Sequence, residues 1–546
     1  MKNLYIFIVL LFTSSFVYGT EDHDDEFCLD QLMDLTVSSV TASESKLKDT
    51  PAAAYIITAD DIKQAGFQSI PEALRLVPGL QVSQTSSNVW SISSRGFNSR
   101  YSDKLLVMID GRSVYSTLFS GVFWELQDVV LADIERIEII RGPGATLWGA
   151  NAVNGVINII TKKVKNTQGT YLKVGGGTHH QGFGAVRYGD SLDDDMFYRF
   201  SLKYRNLYHT EMLSGADRPD DWDLLQGSFR LDWEISEFTE FTIQTDISHS
   251  ERIGTDMLTF DDSPKPFPFN LVQSVANPAI QNIRNQRVNN QNVVMNLKHE
   301  FSASHRIALR AYFDNAERKT QIGDDIRRTY DIDFKDFWAI NDRNQFVWGL
   351  SLRSVRDNVP ATDTFILNPE KSTYNTASGL LEYTFHFIPD ELTLILGSKF
   401  EVNDYTGFEV QPSARLSYHI NDESILWASF SRAVRTPARF EDSATIRTSS
   451  LLSQLTLPFH SSVELRGNSR IKSEILNAYE LGYRLQVSKN LNFDAAIFYN
   501  EYSNLTSFIV DPATIGVANT PVVQNLTNDG SADTYGLEIS ANWQPV

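Results

Sequence analysis

The residues most suggestive of chemistry are Arg141 to Lys163, RGPGATLWGANAVNGVINIITKK, where the apolar-rich run IERIEII breaks into glycines. A strand running into a glycine-rich loop is how many phosphate-binding sites begin. A P-loop requires GxxxxGK followed by Ser or Thr, the lysine reaching the phosphates and the hydroxyl holding magnesium. Gly144 and Gly149 have that spacing, but Ala150 and Asn151 follow, so the lysine is missing. The dinucleotide fingerprint GxGxxG fails as well, because Leu147 stands where its third glycine belongs and VINIIT, further on, reads as a strand. The chain holds no HExxH, GxSxG or metal-ligand cluster, and its one cysteine, Cys28, excludes an internal disulfide framework and a Cys-based zinc site. His179 and His180 in GGGTHHQG have the chemistry of metal ligands but the spacing of a solvated hairpin tip. No catalytic residue, metal or cofactor is expected.

These residues sit in a chain of 546 with a formal net charge of −20 and 12% aromatics, a folded rather than a disordered composition. No Lys/Arg-rich run offsets the acidity, which excludes nucleic acid as an expected partner. Met1, Lys2 and Asn3 precede an apolar run from Leu4 to Tyr18, and Val17 and Gly19 are small enough for the −3 and −1 positions of a signal-peptidase site. That run is shorter than the ~20 residues a membrane helix needs, and no later one reaches that length. Residues 1–19 are therefore expected to be a signal peptide on an exported protein.

The rest divides into two regions by hydrophobic period. From 51 to 165 the pattern is mixed α and β: AAYIIT as a strand, ADDIKQA as a helix capped by Thr58 and closed by Gly66, and PEALRLV as a second helix with Ser69 as cap and Pro78-Gly79 as stop. Strand-like runs follow at VWSISS, KLLVMID, IERIEII and VINIIT. From 170 to 546 the helical signals vanish, and strands of roughly ten residues alternate with period two. YELGYRLQV places Tyr479, Leu481, Tyr483, Leu485 and Val487 on one face, and Glu480, Gly482, Arg484 and Gln486 on the other. A soluble β-sandwich alternates too, but here short turns at SASH, IPDE, INDES and SKN alternate with long polar loops at 251–290, 356–372, 435–473 and 501–534. Short turns on one rim and long loops on the other describe a transmembrane antiparallel β-barrel with its short turns in the periplasm.

The order of the two regions, with PEALRLVPGLQV, SISSRGF, LLVMIDGR and above all IERIEIIRGPGATLWGANAVNGVINIITKK, resembles the TonB-dependent outer-membrane receptors over essentially the whole chain. SFSRAVRTP and YELGYR also resemble family segments. The resemblance implies an N-terminal mixed α/β plug domain inside the lumen of a 22-stranded barrel, a width that leaks unless filled. It implies coupling to the inner-membrane proton gradient through TonB, with the ExbB/ExbD motor, by strand pairing with a TonB box. DLTVSSVTA, comprising Asp34, Leu35, Thr36, Val37, Ser38, Ser39, Val40, Thr41 and Ala42, lies in the right part of the 20–50 tail and is expected to be exposed and flexible; the other reading is a leader without a partner. The plug motif supplies Gly142, Pro143, Gly144, Gly149 and Gly155. Arg95 and Arg141 match plug arginines that face glutamates on the inner wall in this family, with Glu480 and Glu538 as candidates here; lumen water is the alternative. Outward plug loops offer Trp90, Tyr115 and Phe119 as ligand contacts, and Phe123 and Trp124 as contacts or core.

Alternating runs number about sixteen, not 22, and ANWQPV follows a strand directly, so the chain is expected to lack about six C-terminal strands. The resemblance implies outer-membrane lipid around the barrel, the TonB box in the periplasm, and a ferric siderophore or other metal chelate as ligand, with cobalamin or haem as alternatives. A passive porin or adhesin is the rival of another class, and it has no use for a plug.

Overall fold

The computed structural model describes residues 29–43, 45–211, 215, 217–218, 220–253, 285–320, 323–449, 462–515, 517 and 520–544. The signal segment, Cys28 and most of the 251–290 connection lie outside the described residues. Among the described residues no helix is long and apolar enough to cross a membrane.

A small sheet forms the N-terminal unit, ordered Ala53–Thr58, Ile134–Arg141, Gly155–Thr161, Leu105–Ile109, Arg112–Ser113, antiparallel except where Gly155–Thr161 meets Leu105–Ile109. Its central strands are near-continuous apolar runs because both faces are covered. One face packs Ile57, Ile137, Ile139, Ile157 and Ile159 against Leu74 and Trp90. Helix Ala59–Ala65 starts where the sequence places it. Thr58 Oγ1 accepts from the Asp61 amide at 3.1 Å, the Asp61 carboxylate accepts from the Thr58 amide at 2.8 Å, and Gly66 closes the helix in the left-handed region at φ 69°. The second helix departs from expectation. Ser69 makes no capping hydrogen bond; Glu72 takes the Gln68 amide at 2.8 Å instead, and Ile70–Ala73 tightens into a 3-10 turn, Leu74–Leu76, before Pro78.

The opposite face of this sheet explains a larger correction. DLTVSSVTA is not a free, exposed tail: Thr36–Val37 pairs with Ser45–Lys46, and Val37 and Val40 join Leu47, Ile56, Leu106, Met108, Ile140 and Val156 in a second core. Val37 is 1% exposed and Ser39 0%. A sheet apolar on both faces needs a second cover, and here the Val-rich segment supplies it. Glu138 receives the Ser38 amide at 3.1 Å and the Ser39 hydroxyl at 2.5 Å. The Trp148 indole donates to the Ser39 carbonyl at 3.0 Å, and the Ala42 amide donates to Glu382 of the wall at 2.9 Å.

Around this unit runs one sheet of nineteen strands among the described residues, antiparallel but for one pairing. Three short members, Phe365–Leu367, Ala444–Ser449 and Ser462–Arg466, belong to connections, which leaves sixteen wall strands from Gly169–Gly175 to Val522–Trp543. Alternation sorts their side chains as the sequence predicts: Tyr479, Leu481 and Val487 face outward while Glu480 and Arg484 are buried against the plug. Residues 501–534 do not form a long loop. Leu491–Val510 and Val522–Trp543 carry their pairing through most of it, with register shifts, because an antiparallel ladder satisfies polar backbone wherever two strands stay side by side. No ladder among the described residues joins Gly169–Gly175 to Val522–Trp543.

Candidate functional site

The plug meets the wall through buried charge. Arg95, in the left-handed region at φ 56°, follows strand Trp90–Ser94, and Arg141 ends strand Ile134–Arg141. Arg95 Nη1 lies 2.6 Å from Glu480 Oε1, its Nε 3.1 Å from Glu538 Oε1 and its Nη2 3.3 Å from Glu538 Oε2. Ser429 completes Glu480 from the neighbouring strand at 2.9 Å, and the Phe498 ring packs 4.2 Å from the Arg95 guanidinium carbon. Arg95 and Glu480 side chains are 1% and 2% exposed, so each depends on the other for its charge to be tolerated. Burial alone would lower the Arg95 pKa, but Glu480 and Glu538 outweigh it and raise it.

Arg141 is the weaker member. Its Nη1 sits 3.4 Å from Glu538 and donates to the Pro78 carbonyl at 2.9 Å, leaving buried Nε without a hydrogen-bond partner. One glycine of the loop earlier compared with a phosphate cradle makes room for this cluster. Gly142 has φ 109°, and a Cβ there would lie 2.6 Å from Glu480 Oε1 and 2.8 Å from Arg95 Nη1. Gly149 lies on the same seam, with wall residues Glu401 and Lys399 beside its Cα, and Pro143 offers its carbonyl to wall residue Arg415 at 3.1 Å, whereas Gly144 and Gly155 permit close packing inside the plug against Val156 and the Ile140 carbonyl.

A second charged hub was not assigned from sequence. Arg435, in SFSRAVRTP, meets both oxygens of Glu441 at 2.9 Å and Glu474 at 2.7 Å, and Glu474 receives Lys104 of the plug at 2.7 Å. Further round, Asp128 meets Lys203 at 2.7 Å and Arg205 at 3.1 Å, and Asp133 meets Arg187 at 2.7 Å. Arg484 donates to the carbonyls of Leu47, Thr50 and Ala52. Inward alternation marks each wall residue as polar-facing; only the tertiary packing pairs it with a plug residue.

The three proposed ligand contacts do not come together. Trp90 packs in the plug core with the Arg75 guanidinium over its ring, and it borders a separate cavity of about 410 Å3 shared with Trp124 and Trp222. Phe123 and Trp124 are buried. Phe119 stacks on Tyr101 at 5.0 Å and packs on Phe365 and Phe440 of the long connections, beside a cavity of about 410 Å3. Tyr115 donates its hydroxyl to the Asp103 carbonyl at 2.8 Å and lines a different, larger cavity. Burial raises its pKa. The rings of His179 and His180 lie 5.5 Å apart, and no group of three or more metal-ligating side chains occurs among the described residues.

A mixed α/β plug ringed by a wall of long antiparallel strands, joined to it by buried ion pairs, defines the class of plugged outer-membrane β-barrels. The chain belongs to the TonB-dependent receptor family: residues 46–156 match its plug domain and residues 171–545 its β-barrel. It is similar to the vitamin B12 transporter of Vibrio vulnificus (strain CMCP6), 32% identical over 153 residues, covering 28% of this chain but only 24% of that protein. The matched stretch thus spans about a quarter of these relatives. It is similar over 94% of its length to the pesticin receptor of Yersinia enterocolitica, at 22% identity and 76% of that protein. Among solved structures it shares its fold with the ferric enterobactin receptor of Pseudomonas aeruginosa (TM-score 0.73, 17% identity, 90% of this chain, 78% of that one). The hemophore receptor of Serratia marcescens shares it too (TM-score 0.72, 13% identity, 91% and 80%).

Proposed function

We propose that this protein is an energised importer of the bacterial outer membrane, taking up a ferric siderophore or similar metal chelate at the drive of the inner-membrane proton gradient. The observation that carries the reading is the plug itself, held in the lumen by buried Arg–Glu pairs: a passive pore gains nothing from filling its own channel. Shared fold with an enterobactin receptor and a hemophore receptor favours a bulky iron-bearing ligand. The B12 transporter matches favour cobalamin as a second reading, and they fall on only part of the chain. In the importer reading, Asp34 to Ala42 is the TonB box, held against the plug in the resting state and presented to TonB, with ExbB and ExbD behind it, when ligand binds near Phe119. A differential affinity for the two plug states supplies the shift.

Growth of a deletion strain on single iron, haem or cobalamin sources, with and without functional TonB, tests this. One source should fail to support growth without the receptor, and the same source should fail without TonB. Uptake that persists without TonB would overturn the energised reading.

A further inference from the structure

Alternate positions on the outside of the wall are mostly apolar, but beside the SASH turn three of them are ionisable. His299, in strand Asn285–Ser302, shares the outward parity of Met295 and Leu297; His305 opens strand His305–Lys319; Asp336 lies in strand Asp324–Asn341. Charge on the lipid side of a barrel is costly at mid-membrane and tolerated near the interface, so these groups belong at the level of lipid headgroups. The neighbouring rings agree, since Phe301 is 57% exposed and Trp338 42%, as in the aromatic girdle of a barrel rim.

These rings form one stack across three strands. His299 meets Phe301 edge-on at 4.4 Å, Phe301 lies flat on His305 at 4.6 Å, and His305 lies flat on Trp338 at 3.7 Å. Hydrogen bonds then fix which nitrogens are left over. Ser236 donates to Thr239 Oγ1 at 3.1 Å, so the Thr239 proton goes to His299 Nδ1, 2.8 Å away, and His299 Nε2–H remains a donor. Asp336 takes His305 Nε2–H at 2.9 Å and the Trp348 indole N–H at 3.1 Å, which leaves Nδ1 of the neutral His305 ring as an acceptor. Among the described residues neither leftover nitrogen has a hydrogen-bond partner, and neither is enclosed. Lys298, Arg306 and Lys335 alternate to the inner side, and Asp336 is already engaged. A purely anionic headgroup would find no countercharge here, and a lone cation no open carboxylate.

We propose that His299, Phe301, His305 and Trp338 form a site on the outer wall for a phospholipid with a zwitterionic phosphoethanolamine headgroup. His299 Nε2–H donates to the phosphodiester, and His305 Nδ1 accepts from the ammonium, which the neighbouring ring faces also favour. The acyl chains lie along Leu297, Ile307 and Leu309, the next outward positions toward the middle of the wall. The site requires a membrane wall but not energised import.

For the test, full-length receptor stripped of lipid in maltoside micelles is equilibrated with equimolar dioleoyl phosphatidylethanolamine, dioleoyl phosphatidylglycerol and dioleoylglycerol, and retained lipid is counted by native mass spectrometry. Phosphatidylethanolamine should be retained about tenfold over phosphatidylglycerol, the effect of one hydrogen bond to a charged group, and dioleoylglycerol should be lost. His299→Phe with His305→Phe keeps the stack, removes the nitrogens and should bring phosphatidylethanolamine down to the phosphatidylglycerol level, with heat-modifiable gel migration showing that the barrel is folded. Thr239→Val, which alters no ring and removes only the group that orients the His299 donor, should weaken the preference in the same direction. Phe385→Leu with Phe387→Leu, an aromatic pair of the same rim outside the stack, should change nothing. Equal retention of the two phospholipids overturns the zwitterion preference, and so does a preference untouched by Thr239→Val. Dioleoylglycerol held as well as phosphatidylethanolamine, no loss in the histidine variant, or equal loss in the Phe385 and Phe387 variant overturns the site. None of these readouts involves TonB or uptake, so the lipid site and the importer reading fail separately.

Discussion

Glu480 and Glu538 share Arg95, but not equally, since the 2.6 Å contact is to Glu480 and that pair is the better buried. Removing one partner of a buried pair costs about 3–5 kcal/mol, because the other charge stays behind. Glu480→Gln is therefore expected to loosen the plug more than Glu538→Gln, and the double variant most, read as earlier guanidinium unfolding and faster trypsin cleavage within 51–165. Protease resistance equal to wild type in the double variant would show that the pairs do not fasten the plug. Gly142→Ala strikes the same cluster through backbone rather than charge. A positive φ combined with contacts of 2.6 and 2.8 Å should cost about 1–3 kcal/mol in the same unfolding assay.

At the scale of elements, the N-terminal segment is held by apolar cover as well as by Glu138 and Trp148. Val37→Ser with Val40→Ser removes two side chains from the second core of the plug sheet and should speed amide hydrogen exchange across 34–42, leaving the Arg95 cluster protected. Exchange rates unchanged in that segment would mean the polar clasps alone suffice. The loop carrying Asp128 gives a pH prediction. Burial pushes its carboxyl up, but Lys203 and Arg205 outweigh burial and hold it below the usual range. A depressed folded value means that the contact stabilises fully above the unfolded value near ~3.9 and is lost as pH falls through the folded one. Asp128→Asn should thus lower the guanidinium midpoint at pH 7, and the gap from wild type should narrow by pH 3.

For the whole molecule, the plug is the counter-charge of the wall. Deleting residues 51–165 strands Lys203, Arg205, Glu480 and Glu538 without their ion partners and takes Lys104 from Glu474. The prediction is a barrel of lower thermal stability that admits large hydrophilic antibiotics passively, scored as sensitivity of cells producing it. Cells no more sensitive than those with the intact receptor would argue that the wall collapses on its own lumen.

Much of this was legible in the residues. Period-two alternation set Glu480 and Arg484 on the polar face of their strand, because a side chain's face in a strand depends only on its parity. Thr58 and Gly66 marked the first plug helix, since capping is local chemistry at a helix's ends. The plug motif singled out Arg141 and its glycines, and the family pattern added Arg95. What the sequence could not decide is which distant groups meet. Arg435 as a hub, the larger share of Arg95 over Arg141, and the separation of Trp90, Tyr115 and Phe119 all depend on how plug and wall are set against each other. DLTVSSVTA shows the limit best: its Ser, Thr and Val content suits a free strand and a covered one equally, and only a second apolar sheet face, needing cover, chose between them.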